Sequence, residues 1–71
     1  MGEDVKAFMA KWGLKCGEAF FSAIMPCYAC YIDEKGDLFV MKPEWDDYKW
    51  VDEMWLDYIM NNEDAKIWRA I

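Results

Sequence analysis

The chain has 71 residues and a formal net charge of −6; 56% of its residues are hydrophobic and 18% are aromatic. It contains no histidine, which removes the commonest general base and excludes Ser–His or Cys–His catalysis within one chain. The acidic balance disfavours direct binding to nucleic acid or to anionic membranes, and it favours basic proteins as partners.

The length predicts one small α+β domain that spans residues 1–71. Its apolar content exceeds what one small core easily hides, so we expect a homodimer. The first residues lack a basic and then apolar leader, and the longest apolar run falls far short of the roughly 20 residues that cross a bilayer. A cytoplasmic protein is therefore expected.

The first predicted element is an amphipathic helix from about Asp4 to Met25, which Pro26 ends. Its apolar residues recur at intervals of three and four, the spacing of one helix face: Val5, Phe8, Met9, Trp12, Cys16, Ala19, Phe20 and Ala23.

The other side of this predicted helix carries a patch of small residues, formed by Ala10, Gly13 and Gly17. Two glycines inside a helix cost roughly 1 kcal/mol each relative to alanine, a cost that close approach of another helix would offset. The patch therefore predicts either packing against a C-terminal helix of the same subunit or the seam of a homodimer.

The second predicted element is a β-hairpin with strands at residues 27–32 and 38–41, which are rich in aromatic and β-branched side chains. Gly36 at the fourth loop position suits a turn that ends in a left-handed residue. Two strands alone are marginally stable, so the hairpin needs a helix on one face or a second hairpin from a partner subunit.

The remaining chain predicts a helix from about Glu44 to Met60 and a short helix from Glu63 to Ile71, which gives the order α-β-β-α-α. The expected core stripe of the longer helix is Tyr48, Val51, Trp55, Tyr58 and Ile59. The short helix is expected to dock through Ile67, Trp68 and Ile71.

Residues 43–64 hold eight acidic residues, one lysine and three of the five tryptophans, so their net charge is −7. One face of the predicted helix carries Asp46, Trp50, Glu53 and Asp57. The three carboxylates are spaced by about 10 Å and about 6 Å along the axis, roughly as phosphates follow one another on a nucleic-acid strand. This face predicts a contact with a basic groove, anchored by Trp50 and steered by the acids. The alternative is a solvated face that keeps an apolar protein in solution.

The cysteines allow a second kind of site. Cys27 and Cys30 have the CxxC spacing of zinc and dithiol motifs, and Cys16 is near them in sequence. On a strand, however, Cys27 and Cys30 point to opposite faces, which favours their role as small apolar residues. We expect no metal and no cofactor. Carboxylates on an exposed helix also lack a pocket that would tune an acid–base pair, so no enzymatic activity is expected.

In composition the chain resembles phage-encoded inhibitors, including anti-CRISPR proteins and other nucleic-acid mimics, and acidic antitoxins or immunity proteins. The resemblance lies in small size, acidity, aromatic content and lack of histidine, and it assigns no role to any residue. It implies a non-enzymatic inhibitor that occupies a basic, nucleic-acid-handling surface of a target protein. The alternatives are a dimeric adaptor with an apolar seam and, third, a CxxC metal or thiol protein.

Overall fold

The computed structural model describes residues 1–69 and confirms an α+β architecture. Within these residues the elements are α1 (Glu3–Trp12), β1 (Phe20–Ser22), β2 (Met25–Ile32), β3 (Leu38–Met41), β4 (Lys49–Val51), α2 (Glu53–Met60) and β5 (Ile67–Arg69). The strands form one antiparallel sheet in the order β4-β3-β2-β1-β5. The element order therefore differs from the expected α-β-β-α-α, because three additional segments are strands.

The hairpin of β2 and β3 is confirmed. Ala29 pairs with Met41, and the register continues to Ile32 opposite Leu38. The turn is held by Asp33, whose Oδ1 accepts hydrogen bonds from the backbone N–H of Lys35 at 3.0 Å and of Asp37 at 2.9 Å. Gly36 has φ of 89°, the left-handed conformation expected there.

The first helix is shorter than predicted and ends at Trp12. Gly13 adopts φ of 67°, and the N–H groups of Gly13 and Leu14 bond back to the carbonyls of Ala10 and Met9. This left-handed cap satisfies the last carbonyls and stops the helix. Gly17 lies beyond the helix, with φ of 77°. Ala10, Gly13 and Gly17 therefore form no helical stripe, and the predicted seam on one helix face is wrong.

The second helix begins at Glu53 rather than Glu44. Asp52 is its N-cap, and its side chain accepts a hydrogen bond from the backbone N–H of Met54 at 3.0 Å. The preceding residues, Lys49–Val51, pair with β3 as an edge strand. Pairing with a ready sheet edge, followed by a strong N-cap, outweighs the helical spacing of this segment.

The predicted C-terminal helix is also wrong, because Ile67–Arg69 is a strand that pairs with β1. Ile67 is buried in the core as expected, whereas Trp68 is half exposed. The predicted contact of Ile71 lies outside the described residues. β5 and β1 complete the sheet on the side opposite β4.

The hydrophobic core lies between α1, α2 and one face of the sheet. Phe8 of α1 meets Phe20 of β1 edge to face, with ring centroids 6.5 Å apart, and Leu56 and Ile59 of α2 are buried in the same cluster. The sheet contributes its most deeply buried side chains to this cluster: Phe20, Cys30, Ile32, Leu38 and Val40.

Candidate protein-binding face

The opposite face of the sheet is covered by neither α1 nor α2. Side chains alternate along each strand, so in β3 Leu38 and Val40 enter the core while Phe39 and Met41 are half-buried on the other side. Strand register extends this alternation across the sheet. We call this surface the open face; it comprises Phe21, Cys27, Ala29, Tyr31, Phe39, Met41, Tyr48, Trp50 and Trp68.

Three aromatic side chains cross the open face in register, and we call them the aromatic ladder. Tyr31 of β2 pairs with Phe39 of β3, and their rings stack with centroids 4.9 Å apart and an interplanar angle of 6°. Phe39 in turn pairs with Trp50 of β4, whose side chain is 59% exposed. Tyr48 borders the ladder, with its ring 4.8 Å from that of Tyr31. The result is an aromatic surface in which Trp50 is exposed and Tyr31, Phe39 and Tyr48 are half-buried.

The far side of the open face also carries paired aromatics. Phe21 of β1 lies opposite Trp68 of β5, and the two rings stack with centroids 6.2 Å apart. Trp68 is 50% exposed. Aromatic residues therefore lie near both edges of the sheet, an unusual exposure for residues that serve only a core.

A cleft lies on the open face between these two aromatic groups, where β2 and β3 approach the loop of residues 42–48. Its volume is about 580 Å³. Its lining residues are mainly apolar and include one acidic and one basic residue: Phe21, Pro26, Cys27, Ala29, Met41, Lys42, Pro43 and Glu44.

Negative charge is concentrated at the two ends of β3 and β4. Residues 33–53 contain eight of the 14 acidic residues and three of the eight basic ones, which leaves this segment at −5. Three of the acids lie in the hairpin turn (Asp33, Glu34 and Asp37), and three lie in the loop at the opposite end (Glu44, Asp46 and Asp47).

Two of the lysines in this segment face away from the open face. The Lys42 ammonium lies 5.2 Å from the ring centroid of Tyr28 and 5.8 Å from that of Trp45, and the Lys49 ammonium lies 4.6 Å from Trp45. Tyr28 and Trp45 pack against the core on the helix side of the sheet. These cation–π contacts hold both positive charges on that side and leave the open face with acidic borders.

The four predicted contact residues do not form one row. Trp50 is exposed as the prediction requires, but it lies on β4 and points to the open face. Asp46 lies in the loop before β4. Glu53 and Asp57 remain one helical turn apart on α2, which packs on the other side of the sheet. The four residues would form a continuous row only if an α-helix included Asp46 and Trp50. Because Lys49–Val51 is a strand, that helix does not exist and the row is not formed.

The candidate contact residues that are not predicted from the sequence are those of the hairpin, above all Tyr31 and Phe39. The signal was present in the alternation of each strand: Cys27, Ala29 and Tyr31 share one face, as do Phe39 and Met41. An aromatic face opposite a buried face becomes a candidate surface only when it is known that both helices pack on the other side.

The cysteines occupy two environments. Cys30 is fully buried, and burial raises the pKa of its thiol to about 12, whereas Cys27 is exposed on the open face. This opposite placement on β2 agrees with the strand argument and prevents joint chelation by the pair. Cys16 is exposed, and its thiol contacts the carbonyl of Asp33 at 3.7 Å. Within residues 1–69 no cluster of three or more cysteine or carboxylate side chains is arranged to hold a metal ion.

Tyr48 is the other residue with a displaced acidity. Partial burial raises the pKa of its phenol, and the nearby Cys30 and Tyr31 groups add to the effect. The phenol beside the aromatic ladder is therefore neutral at physiological pH and able to donate a hydrogen bond.

Comparisons with protein families, with curated proteins and with solved structures returned no match to this chain. Neither α1 nor α2, within the part of the chain that the structure describes, has the length and apolar character needed to traverse a bilayer.

Proposed function

We propose that this protein is a non-enzymatic inhibitor that binds a basic, nucleic-acid-handling surface of a target protein through the open face. The observation that supports the proposal most is the aromatic ladder, which ends at the exposed Trp50 and is flanked by acidic segments at the two ends of β3 and β4. This proposal keeps Trp50 as the anchor and replaces the helical row with the sheet surface.

The aromatic and the acidic side chains have different roles in the proposed binding. Large aromatic rings lose little conformational entropy when they are buried at an interface, and they commonly supply most of its binding energy. The surrounding carboxylates attract a basic surface over distance and speed the encounter. Together they can take the place of the bases and phosphates that such a target normally binds.

The biological setting is part of the proposal. In its small size and acidic composition the chain resembles inhibitors of the phage anti-defence type and acidic antitoxins, which act on proteins that handle nucleic acids. We place the protein in the cytoplasm, where three free thiols, two of them exposed, remain reduced.

To test the proposal, the wild-type protein and the variants Trp50→Ala and Tyr58→Ala are immobilised and exposed to a bacterial lysate at low salt. Bound proteins are then eluted with rising salt concentration. Tyr58 is a matched control because it is 55% exposed on α2, close to the 59% of Trp50. The proposal expects wild type and Tyr58→Ala to retain the same basic protein, which salt releases, and Trp50→Ala to lose it. Equal retention by Trp50→Ala would contradict it.

A charge pair extends the test. Reversal of Asp46 and Asp47 to lysine beside the open face should abolish capture, because it places positive charge at the border of the basic partner. Reversal of Glu63 and Asp64 to lysine is the control, because it changes the net charge equally. These two residues lie in the segment between α2 and β5. If both reversals weaken capture equally, net charge rather than this face controls binding.

The alternative is a homodimeric adaptor in which a second copy covers the open face. The exposure of Trp50 and Trp68 at opposite edges of this face favours it, since exposed apolar surfaces commonly mark interfaces. Sedimentation over a range of protein concentrations distinguishes the two. A dimer that persists at high salt and dissociates in Trp50→Ala supports the adaptor, whereas a monomer at all concentrations excludes it.

A further inference from the structure

We propose that the cleft of the open face seats an arginine side chain of the partner, with Glu44 as the carboxylate that binds its guanidinium group. This inference rests on the proposed function and names the chemistry that the face recognises. It concerns a different part of the face from the aromatic ladder, so the two can fail separately.

The shape of the cleft suits a long side chain with an apolar stem. Phe21, Ala29 and Met41 form apolar walls, and Glu44 lines the cleft and is exposed to solvent. Pro26 and Pro43 also line the cleft and restrict the backbone on either side. A side chain that buries methylene groups while it keeps its charged end at the surface matches this arrangement.

The charged group that the cleft offers to a partner is the carboxylate of Glu44. Lys42 also lines the cleft, but its ammonium is held over Tyr28 and Trp45 on the helix side, at 5.2 and 5.8 Å. Within residues 1–69 the only ion pair joins Arg69 to Glu18, at 3.4 Å between Nε and Oε1. Glu44 is exposed and has no ion-pair partner in this range, so its charge is available to a partner.

The ring of Phe21 and the carboxylate of Glu44, which both line the cleft, favour arginine over lysine. A guanidinium group stacks on flat rings and binds a carboxylate through two parallel hydrogen bonds, whereas an ammonium is a compact, strongly hydrated charge. The protein's own lysines lie over Trp12, Tyr28 and Trp45, and among the described residues none lies over a ring of the open face. No lysine of the described residues therefore competes for the ring of Phe21, the aromatic residue that lines the cleft.

Cys27 gives a direct probe of occupancy, because it is exposed and lines the cleft. The substitution Cys16→Ser removes the other exposed thiol, and Cys30 reacts slowly because it is buried. In this variant the rate of reaction with a thiol reagent therefore reports the accessibility of Cys27. The probe ligand is a short peptide of alternating arginine and glycine at low salt. We expect it to slow modification of Cys27 several-fold.

The matched variants are Glu44→Gln and Glu63→Gln, which remove the same charge inside and outside the cleft. Glu44→Gln should weaken protection by about tenfold in peptide concentration, the loss expected for one charge-assisted hydrogen-bonded pair. Glu63→Gln should leave protection unchanged. Circular dichroism of both variants confirms that they fold.

Three outcomes would overturn the inference. Equal protection by the lysine counterpart peptide would remove the preference for guanidinium. No protection by either peptide, with capture of a basic protein still dependent on Trp50, would refute the arginine site and leave the proposed function standing. Protection of Cys27 by oligodeoxythymidine, with none by the peptides, would refute both and identify the open face as a nucleic-acid-binding surface.

Discussion

Trp50 on β4 lies directly opposite Phe39 on β3, and Phe39 stacks on Tyr31 of β2 with ring centroids 4.9 Å apart. The exposed tryptophan is therefore the outer end of an ordered aromatic surface. Cross-strand contacts of this kind stabilise a sheet modestly, and the stack of Phe39 on Tyr31 holds these two rings in a defined orientation beside Trp50. This order lowers the entropy lost on binding, which favours a role in recognition.

The first prediction separates binding from folding. Trp50→Ala removes a side chain that is 59% exposed, so it should lower the free energy of unfolding by less than about 1 kcal/mol. Phe20→Ala removes a ring that is 1% exposed and should cost about 3–5 kcal/mol. Urea denaturation measures both. A Trp50 variant as unstable as the Phe20 variant would show that the ladder serves the fold rather than a partner.

The second prediction concerns the hairpin turn. Asp33→Ala removes the acceptor for the N–H groups of Lys35 and Asp37, and we expect a loss of about 1–3 kcal/mol in the free energy of unfolding. Glu34→Ala changes the same charge at an exposed neighbour and should have little effect. Thermal melts of the two variants compare them; similar melting temperatures would show that the turn does not depend on these bonds.

The third prediction tests the left-handed position in the same turn. Gly36 has φ of 89°, and a Cβ there would lie 3.2 Å from Cγ of Met1. Gly36→Ala should therefore lower the free energy of unfolding by roughly 1–2 kcal/mol through backbone strain. Lys35→Ala, at an exposed neighbour without positive φ, is the control. Equal stability of the two variants in guanidinium denaturation would mean that the turn relaxes to another conformation.

The fourth prediction is a dependence of stability on pH. Burial raises the pKa of the Cys30 thiol from 9.0 to about 12. Between these values the unfolded chain releases the thiol proton while the folded chain keeps it, so the free energy of unfolding falls as pH rises. The stabilisation that comes from the raised pKa of Cys30 is fully present below pH 9.0 and is lost by about pH 12.

Two variants isolate this effect. Cys30→Ala should lose stability less steeply than wild type as pH rises above 9.0, whereas Cys27→Ala, which removes an exposed thiol, should keep the wild-type slope. Urea denaturation at a series of alkaline pH values gives the slopes. A Cys30 variant with the wild-type slope would assign the effect to other groups, such as the tyrosines.

The fifth prediction concerns the start of α2. Asp52→Ala removes the N-cap bond to the N–H of Met54 and should cost about 1 kcal/mol. Asp57→Ala, an exposed change of the same charge within the helix, should have a smaller effect. Hydrogen exchange of the first turn of α2 checks the result, since loss of the cap should speed exchange there and leave the sheet amides unchanged.

Part of the fold could be predicted because the signal is local. The β2–β3 hairpin depends on neighbouring residues, on the alternation of its strands and on Gly36 in the turn, and all of these are visible in sequence. The α+β class was predictable for the same reason. The opposite placement of Cys27 and Cys30 also follows from strand geometry alone.

The strands β1, β4 and β5 could not be predicted because each is only three residues long and is fixed by pairing with another strand rather than by a pattern of its own. Phe20 continues the helical spacing of α1, yet Gly13 ends the helix and the pairing of Phe20 with Cys30 and Arg69 decides its conformation. Trp50 likewise fits a helical spacing, but its conformation is set by pairing with Phe39. Tertiary contacts outweigh local propensity at these positions.

The candidate site shows the same division. The exposure of Trp50 was expected, but its neighbours Tyr31 and Phe39 come from segments 11 or more residues earlier in the chain. The face of a sheet that stays uncovered depends on where the helices dock. In this protein Phe8 of α1 and Leu56 of α2 pack on the same side, a result of chain topology rather than of any short motif.

The pairing of β5 with β1 has a consequence for synthesis of the chain. Phe20–Ser22 emerges from the ribosome long before Ile67–Arg69, the segment that covers its outer edge. Until then a nascent chain can pair β1 with β2 and β2 with β3, but the outer edge of β1 stays unpaired and is prone to join strands of other chains. Crowded polysomes or premature termination before Ile67 would therefore favour aggregates.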